Sequence, residues 1–486
     1  MINKISIDLL TEVVFPQLEV EDIVRLGLIN KSFNTIISNY GFLYQKEYEI
    51  EYTEYNINYN YGKLKLSIEM PYLTGTSFNN NVHRIKVNNI SNDGDFCSDY
   101  ANLTMLKNIK HIDLSYTKIR DISMLTLSNN CISSLNLTYT HVTDVSSLNN
   151  IHTLNLSHTL VSDVSSLGNV YELYLSHTLV TDVSMLGNVH TLDLCGTKVT
   201  DVSMLGNVHT LEITRTRVTD VSMLGGVHTL CFRGIYVSDI SMLCNVYQLN
   251  LSYTPYTDVS SLGNVHILDL SYTSVTDVSA LGRVHTLNLS GTPVSDASAL
   301  GRVHTLNLTR TKVTDISMLG NVCELNLTDL TITDVSMLGQ VRILDISGTK
   351  VTDVSALGNV YNLNISNTSV SDVSMLSNIH ELDLSYTKVT DVSALTRVHT
   401  LNLSSTKITD VSSLKSVHTL NLSYTKVYDV NMLDNLCILY LLNTPIKYIK
   451  RTNNLKVILI KPNYPMHHTY VDLDNCLKLN MVKVEN

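Results

Sequence analysis

Histidine returns along this chain on a fixed period. His152, His190, His209, His228, His266, His285, His304, His380, His399 and His418 each follow an aliphatic residue, and all stand a multiple of nineteen residues apart. Imidazoles one strand step apart have the donor atoms that zinc and copper take. Aspartate keeps the same period, at Asp121 and then at every nineteenth residue from Asp144 to Asp429. Repeated carboxylates can hold calcium. They can also cap a turn, each accepting N–H bonds from the residues two and three ahead. Context separates these chemistries. The histidine file is broken by Tyr171, Tyr247, Cys323, Arg342 and Tyr361, with no carboxylate following it consistently, so it reads as an exposed ladder beside a strand. Calcium loops of this kind use several glycines and a paired turn that "TDVSMLG" lacks. Aspartate is therefore expected to cap. Like charges about 5 Å apart raise each other's pKa, so the N–H bonds must hold the charged form. Serine and histidine occur in nearly every repeat as copies, and no phosphate loop, GxSxG or HExxH is present. We expect no catalytic residue, metal or cofactor, and no enzyme activity.

The elements that carry these files follow from one unit, "NVHTLDLCGTKVTDVSMLG", Asn188 to Gly206. With Val189 as position 1, Leu192 and Leu194 at positions 4 and 6 alternate as a short half-buried strand. Val199, Val202 and Leu205, at 11, 14 and 17, are spaced by three, the spacing of a tight turn or 3₁₀ segment. One unit cannot bury its apolar face alone, whereas stacked neighbours can. Eighteen units keep the register, with position 1 running from Ile132 to Leu455; a unit with a four-residue insertion starts at Ile109 and a degenerate one at Val82. The fold class expected is an α/β solenoid of short parallel strands and helical or 3₁₀ turns. The motif L-x-x-L-x-L-x-x-N-x-L reads here as "VHTLDLCGTKV" and resembles the leucine-rich repeat family over about three quarters of the chain. Thr197 and its equivalents at position 9 replace the family's asparagine, offering a hydroxyl to neighbouring backbone but no amide donor.

That resemblance implies a partner surface on the strand side chains that point away from the core. Positions 3, 5 and 7 are mostly Thr, Asn and Ser. Position 8 differs, with Tyr139, His158, His177, Arg215, Tyr253, Tyr272, Arg310, Tyr386 and Tyr424 among its occupants. Tyr and Arg dominate interface energetics, so these nine residues are the candidate partner-binding stripe. The other reading is drift at an exposed, unconstrained position. Tyr253 and Tyr272 fall in adjacent units, which would set their rings about 5 Å apart. Lys118, Lys198, Arg217, Lys312, Lys350, Lys388, Lys407 and Lys426 at position 10 read as a solvated row.

Composition limits the partners. The formal charge of −10 over 486 residues disfavours nucleic acid, whose phosphates need a basic footprint. No apolar run reaches the roughly 20 residues needed to cross a membrane, and the start shows no secretory signal. Eight cysteines are scattered without a CxxC pair, as a reducing compartment permits. A file of Asn-Leu-Ser/Thr triplets, from Asn155 to Asn421, would be glycosylated on secretion. An intracellular, cytoplasmic location is expected.

Residues 1–45 do not repeat. Leu9, Leu10, Val13, Val14 and Leu18, then Ile23, Leu26, Ile29 and Phe33, give two amphipathic helices broken near Pro16 to Val20. Asp8-Leu9-Leu10, Leu18, Asp22-Ile23 and Ile29-Asn30-Lys31-Ser32-Phe33 together resemble the F-box. The resemblance implies that Leu9, Leu10, Val14, Leu18, Ile23 and Leu26 bind a Skp-family adaptor of a cullin-type ubiquitin ligase while the repeats hold a protein target. The combination, with its AT-rich residue usage, also looks like repeat proteins of large DNA viruses, which would place it in host cytoplasm. A plain scaffold whose first residues are only a helical cap is the alternative. Residues 46–81 read as a bridge and near-end cap, with a strand pair around a turn at Asn60 to Gly62; 82–455 form the solenoid, and 456–486 the far cap.

Overall fold

The computed structural model describes residues 47–51, 63–69, 82–88, 109–126 and 132–446, and beyond them 449, 454–455 and 457–459. The chain divides into two compact units, Met1–Met242 and Leu243–Asn486. Among the described residues of the first, ten strands run from β1 (Glu47–Glu51), β2 (Lys63–Glu69) and β3 (Val82–Asn88) to β10 (Thr229–Cys231). Among those of the second, twelve run from β11 (Gln248–Asn250) to β22 (Val457–Leu459). Within each unit successive strands pair in parallel, and in register wherever the repeat holds, as Thr191↔Thr210 and Leu268↔Leu287 show. The fold class expected from the sequence is the one observed. The strand pair expected before the repeats is β1 and β2, and it is parallel, a further step of the same sheet. The turn expected between them lies outside the described residues, as do residues 1–45 and nearly all of 456–486.

One rung explains the rest. In β-strand Thr191–Asp193, Leu192 is buried and its two neighbours half-buried, which is the period-two alternation of a strand. The chain then turns a corner and runs to the 3₁₀ segment Ser203–Leu205. There Leu205 N–H donates to Val202 O at 3.0 Å, and Val208 N–H to Leu205 O at 3.0 Å, so two tight turns point Val202, Leu205 and Val208 inward. Each buried Val or Leu contributes roughly 1.5–3 kcal/mol of hydrophobic transfer. A single rung has only a bare apolar stripe, so this contribution appears on stacking. Rungs are tied by backbone bonds: His209 and Thr210 N–H both donate to His190 O, Leu194 N–H to Glu212 O at 2.8 Å, and Gly196 N–H to Thr214 O at 2.9 Å.

The position-9 threonine works within its own rung. Thr197 is buried, and its Oγ1 donates to Leu194 O at 2.7 Å while its N–H donates to the same carbonyl at 3.1 Å. The two bonds fix the corner that follows the strand. Leu330 and Ile235 replace the threonine in two rungs and are buried like it.

Candidate binding face

The aspartates precede the turn of their rungs, as Asp220 precedes the 3₁₀ segment Ser222–Gly226. Asp220 Oδ1 accepts the N–H of Ser222 at 2.9 Å, and the same bond recurs at Asp163, Asp258, Asp353 and Asp410 at 2.8–3.0 Å. The expectation of a second bond, from three residues ahead, is not met. Val221, at φ −121°, is the residue that caps the 3₁₀ turn, so Asp220 sits one position outside it and reaches only the first turn N–H. The Ser222 N–H, then the Ser222 hydroxyl, hold the Asp220 carboxyl below its ordinary pKa, against the weaker opposing influence of Asp201 and Asp239. No group of three or more His, Cys, Asp or Glu among the described residues is placed to hold a metal.

The histidine file stands beside the strands as stacked rings. In the first unit Tyr171, His190, His209 and His228 follow one another with centroids 4.4–4.5 Å apart, and His152 tilts onto Tyr171 at 4.7 Å. In the second, one run is Tyr247, His266, His285 and His304, and another is Tyr361, His380, His399 and His418. Tyrosine thus continues the stack where it replaces histidine. Arg342 lies over the Tyr361 ring at 5.6 Å, capping that run with a cation. His285 and His399, each between two imidazoles, have lowered pKa values, first from burial and then from the neighbouring rings. The Nδ1 atoms of His209 and His304 meet the next threonine hydroxyl at 3.2 and 3.1 Å rather than a metal-binding partner.

Position 8 gives the least expected result. Tyr139, His158, His177, Arg215, Tyr253, Tyr272, Arg310, Tyr386 and Tyr424 all have φ between +56° and +61°, in the left-handed region. Most of these side chains are exposed, as expected, but the position is constrained. Its N–H is also committed: Tyr272 N–H donates to Ser290 O in the next rung at 2.8 Å, and Tyr386 N–H to Ser404 O at 3.0 Å. Left-handed φ excludes β-branched residues, and the bond excludes proline. From Tyr116 to Asn443 position 8 holds no Val, Ile, Thr or Pro.

Their side chains meet along the stack. Tyr116, Tyr139, His158 and His177 form one run of rings 4.2–4.9 Å apart, and the His177 ring lies where a Cβ on Gly196 would be, 2.6 Å away. Tyr253 and Tyr272 stack at 4.8 Å, the expected separation. The Tyr272 ring leans over Gly291, and beyond it Arg310 Nε donates to Asp329 Oδ2 at 2.9 Å. Asp329, then Tyr272, raise the Arg310 pKa. Arg310 is thus joined to the tyrosine pair across the glycine. Tyr386 and Tyr424 stand singly, and Arg215 is exposed. The expected adaptor set, Leu9, Leu10, Val14, Leu18, Ile23 and Leu26, lies outside the described residues.

Position 5 was not singled out from the sequence. Its Asn or Asp accepts the N–H of position 7: Asn155 from Ser157 at 2.9 Å, Asp345 from Ser347 at 2.9 Å, Asp383 from Ser385 at 2.8 Å. The signal was the recurrence of Asn and Asp at an outward strand position, where strand preference alone disfavours both.

These rungs define a leucine-rich repeat fold, and solved structures of that class resemble the chain. TLR13, solved in complex with ssRNA13, superposes with a TM-score of 0.59 at 17% identity, covering 79% of this chain and 71% of that one. Mouse RP105, solved with MD-1, gives 0.52 at 16% identity, covering 76% and 87%. An internalin of Listeria monocytogenes, inlF, is 23% identical over 68% of this chain and 89% of its own, at a TM-score of 0.37. No family model and no curated protein matches the sequence.

Proposed function

We propose that this chain is a protein-binding receptor whose repeats hold a target and whose first 45 residues deliver it to a cullin-type ubiquitin ligase through a Skp-family adaptor. The observation that carries the binding half is the position-8 file. Fourteen non-glycine residues there have positive φ, so large side chains are kept outward at a backbone conformation that disfavours them. Tyr and Arg in such a file have the chemistry of interface anchors. The adaptor half rests on the F-box resemblance of residues 1–45, and it implies an intracellular protein. Of the neighbours in fold, RP105 is paired with MD-1 and TLR13 with ssRNA13. The outward strand positions here favour a protein partner, since Asp193, Glu212, Asp345 and Asp383 would repel phosphates.

Co-purification with a Skp-family adaptor tests the delivery half, using the full chain, the chain lacking residues 1–45, and the Leu10→Asp/Ile23→Asp variant. Adaptor should be recovered with the full chain only, with unchanged circular dichroism of the repeats in the variant. Failure to recover adaptor with the intact chain leaves a leucine-rich repeat scaffold. For the binding half, Tyr253→Ser/Tyr272→Ser should lose a captured target without a change in melting. Serine already occupies this position at Ser405, with φ 59°.

A further inference from the structure

We infer that the strand face of the second unit binds an extended polypeptide with arginine at every third residue. The inference rests on the protein-binding reading above and specifies its partner.

Charge on this face has one sign. From β11 to β21 (Ile438–Tyr440), the outward positions 3 and 5 carry Asp269, Glu324, Asp345, Glu381 and Asp383 and no Lys or Arg. Between Gln248 and Tyr440 the lysines stand mainly at position 10, beyond the position-9 threonine. All five carboxylates are half-buried; neutral amides bond three of them, and the ionisable ring of His380 stands beside one, its Nδ1 4.0 Å from Glu381 Oε1. Asp345 Oδ2 accepts Asn364 Nδ2 at 2.8 Å, Asp383 Oδ2 accepts Asn402 Nδ2 at 2.8 Å, and Glu381 Oε2 accepts Asn362 Nδ2 at 2.6 Å. These amides orient the carboxylates without neutralising them.

The chain itself shows which cation the borders of this face accept. Its two arginines there are both held, Arg342 over the Tyr361 ring and Arg310 on the Asp329 carboxylate beside Tyr272. Both modes suit a planar guanidinium better than a compact ammonium. An incoming arginine would meet carboxylates of the same kind at positions 3 and 5.

Spacing sets the partner's form. Asp345 in β16 (Ile343–Asp345) and Asp383 in β18 (Glu381–Asp383) share position 5 two strands apart. Two steps of about 4.8 Å place them roughly 10 Å apart along the sheet. A polyproline II segment rises about 3.1 Å per residue with three residues per turn, so side chains three apart share one face about 9.3 Å apart. A β-strand would put alternate members of that series on opposite faces. The polyproline II form fits the carboxylate pair.

The test uses the full chain and a fluorescent twelve-residue peptide of four Arg-Pro-Pro triplets, titrated by anisotropy. Saturable binding is expected, at least tenfold weaker for Asp345→Asn/Asp383→Asn and weakened by salt. Asparagine can still accept the Ser347 and Ser385 N–H bonds, so circular dichroism should not change. Peptide-side controls do not depend on how the variant folds. The Lys-Pro-Pro peptide, and one of equal charge with its four arginines contiguous, should each bind several-fold more weakly. Absence of saturable binding, or equal binding of the contiguous peptide, overturns the inference. So does indifference to a correctly folded double variant. A peptide that fails while target capture still depends on Tyr253 and Tyr272 sinks this inference alone; loss of that dependence would strike the binding reading itself.

Discussion

Tyr386 is the cleanest probe of the left-handed file. It is 65% exposed with φ 57°, its rung neighbours at position 8 are Asn367 and Ser405, and it stacks on no described ring. Substitutions there change the backbone preference with little change in packing. An L-residue in the left-handed region costs roughly 1–2 kcal/mol relative to the right-handed region, less for asparagine and more for a β-branched side chain. Tyr386→Asn should therefore be neutral or slightly stabilising. Tyr386→Gly removes the steric cost but loosens the unfolded chain by a comparable 0.4–1 kcal/mol or so, and should fall near zero. Tyr386→Val should destabilise by about 1–2 kcal/mol relative to asparagine, though valine is smaller than tyrosine and the site faces water. Long repeat arrays can lose two-state behaviour, so a local readout is preferable to a global melt. Hydrogen exchange of the Tyr386 amide, which donates to Ser404 O at 3.0 Å, provides it. Protection should fall about five- to thirty-fold from the asparagine to the valine variant, by the conversion of 1.4 kcal/mol per factor of ten. Equal protection in the two variants would refute the claim that φ, and not drift, limits this position.

Three further outcomes follow from the same geometry. Asp220→Asn should leave the thermal midpoint nearly unchanged because its amide oxygen can accept the Ser222 N–H, whereas Asp220→Ala should lower it. Calcium should shift neither midpoint. The depressed pKa of Asp220 means its contribution is fully present above about pH 4 and is lost as pH falls through the folded value, so the wild-type and Asp220→Asn melts should diverge only in acid. His285 and His399 act in the same direction at higher pH: with folded pKa values below the unfolded value, the unfolded chain takes the proton first. Stability should thus decline as pH drops below about 6.5, less steeply in His285→Asn/His399→Asn, and a flat profile from pH 7 to 5 in urea titrations would contradict the stacking account. Thr273→Val deletes the 2.6 Å bond to Leu270 O, but that carbonyl keeps the Thr273 N–H at 3.2 Å, so the loss in equilibrium unfolding should be about 1 kcal/mol or less.

The apolar spacing revealed the architecture because burial leaves a record at every rung. Positions 4, 6, 14 and 17 are interior wherever described, from Leu135 and Leu137 to Leu433. The carboxylate's role was legible for a similar reason, since a turn N–H needs an acceptor once per repeat. Its exact reach was not, because one residue separates a cap from a position just outside it. The sign of φ at position 8 had a fainter signature. Tyr and Arg there suggest an interface, while glycine, Asn and Asp suggest left-handed backbone, and only the missing β-branched residues and proline unite the two. Nor does spacing alone reveal the ring stacking. That His and Tyr alternate at position 2 becomes intelligible once the rings are seen 4.2–4.8 Å apart, a contact either planar side chain can make.

Position 8 joins two demands that usually fall on different residues. Its backbone is fixed, since the left-handed corner lets the N–H reach the next rung. Its side chain is released, since the same corner turns the Cβ outward from a core already filled by Leu and Val. Substitution there changes the outer surface without disturbing the register beneath it, within the limits that φ and the N–H bond impose. Glycine then acquires a second use. At Gly291 the absent Cβ would lie 2.7 Å from the Tyr272 ring, so its absence gives that ring room to lean and leaves Arg310 in reach of it. A glycine in this file is a gap in the side-chain row that lets neighbours two rungs apart interact. The composition of the file therefore sets where its rings and charges join and where they stand alone, and a partner reading this edge meets that sequence of joined and single groups.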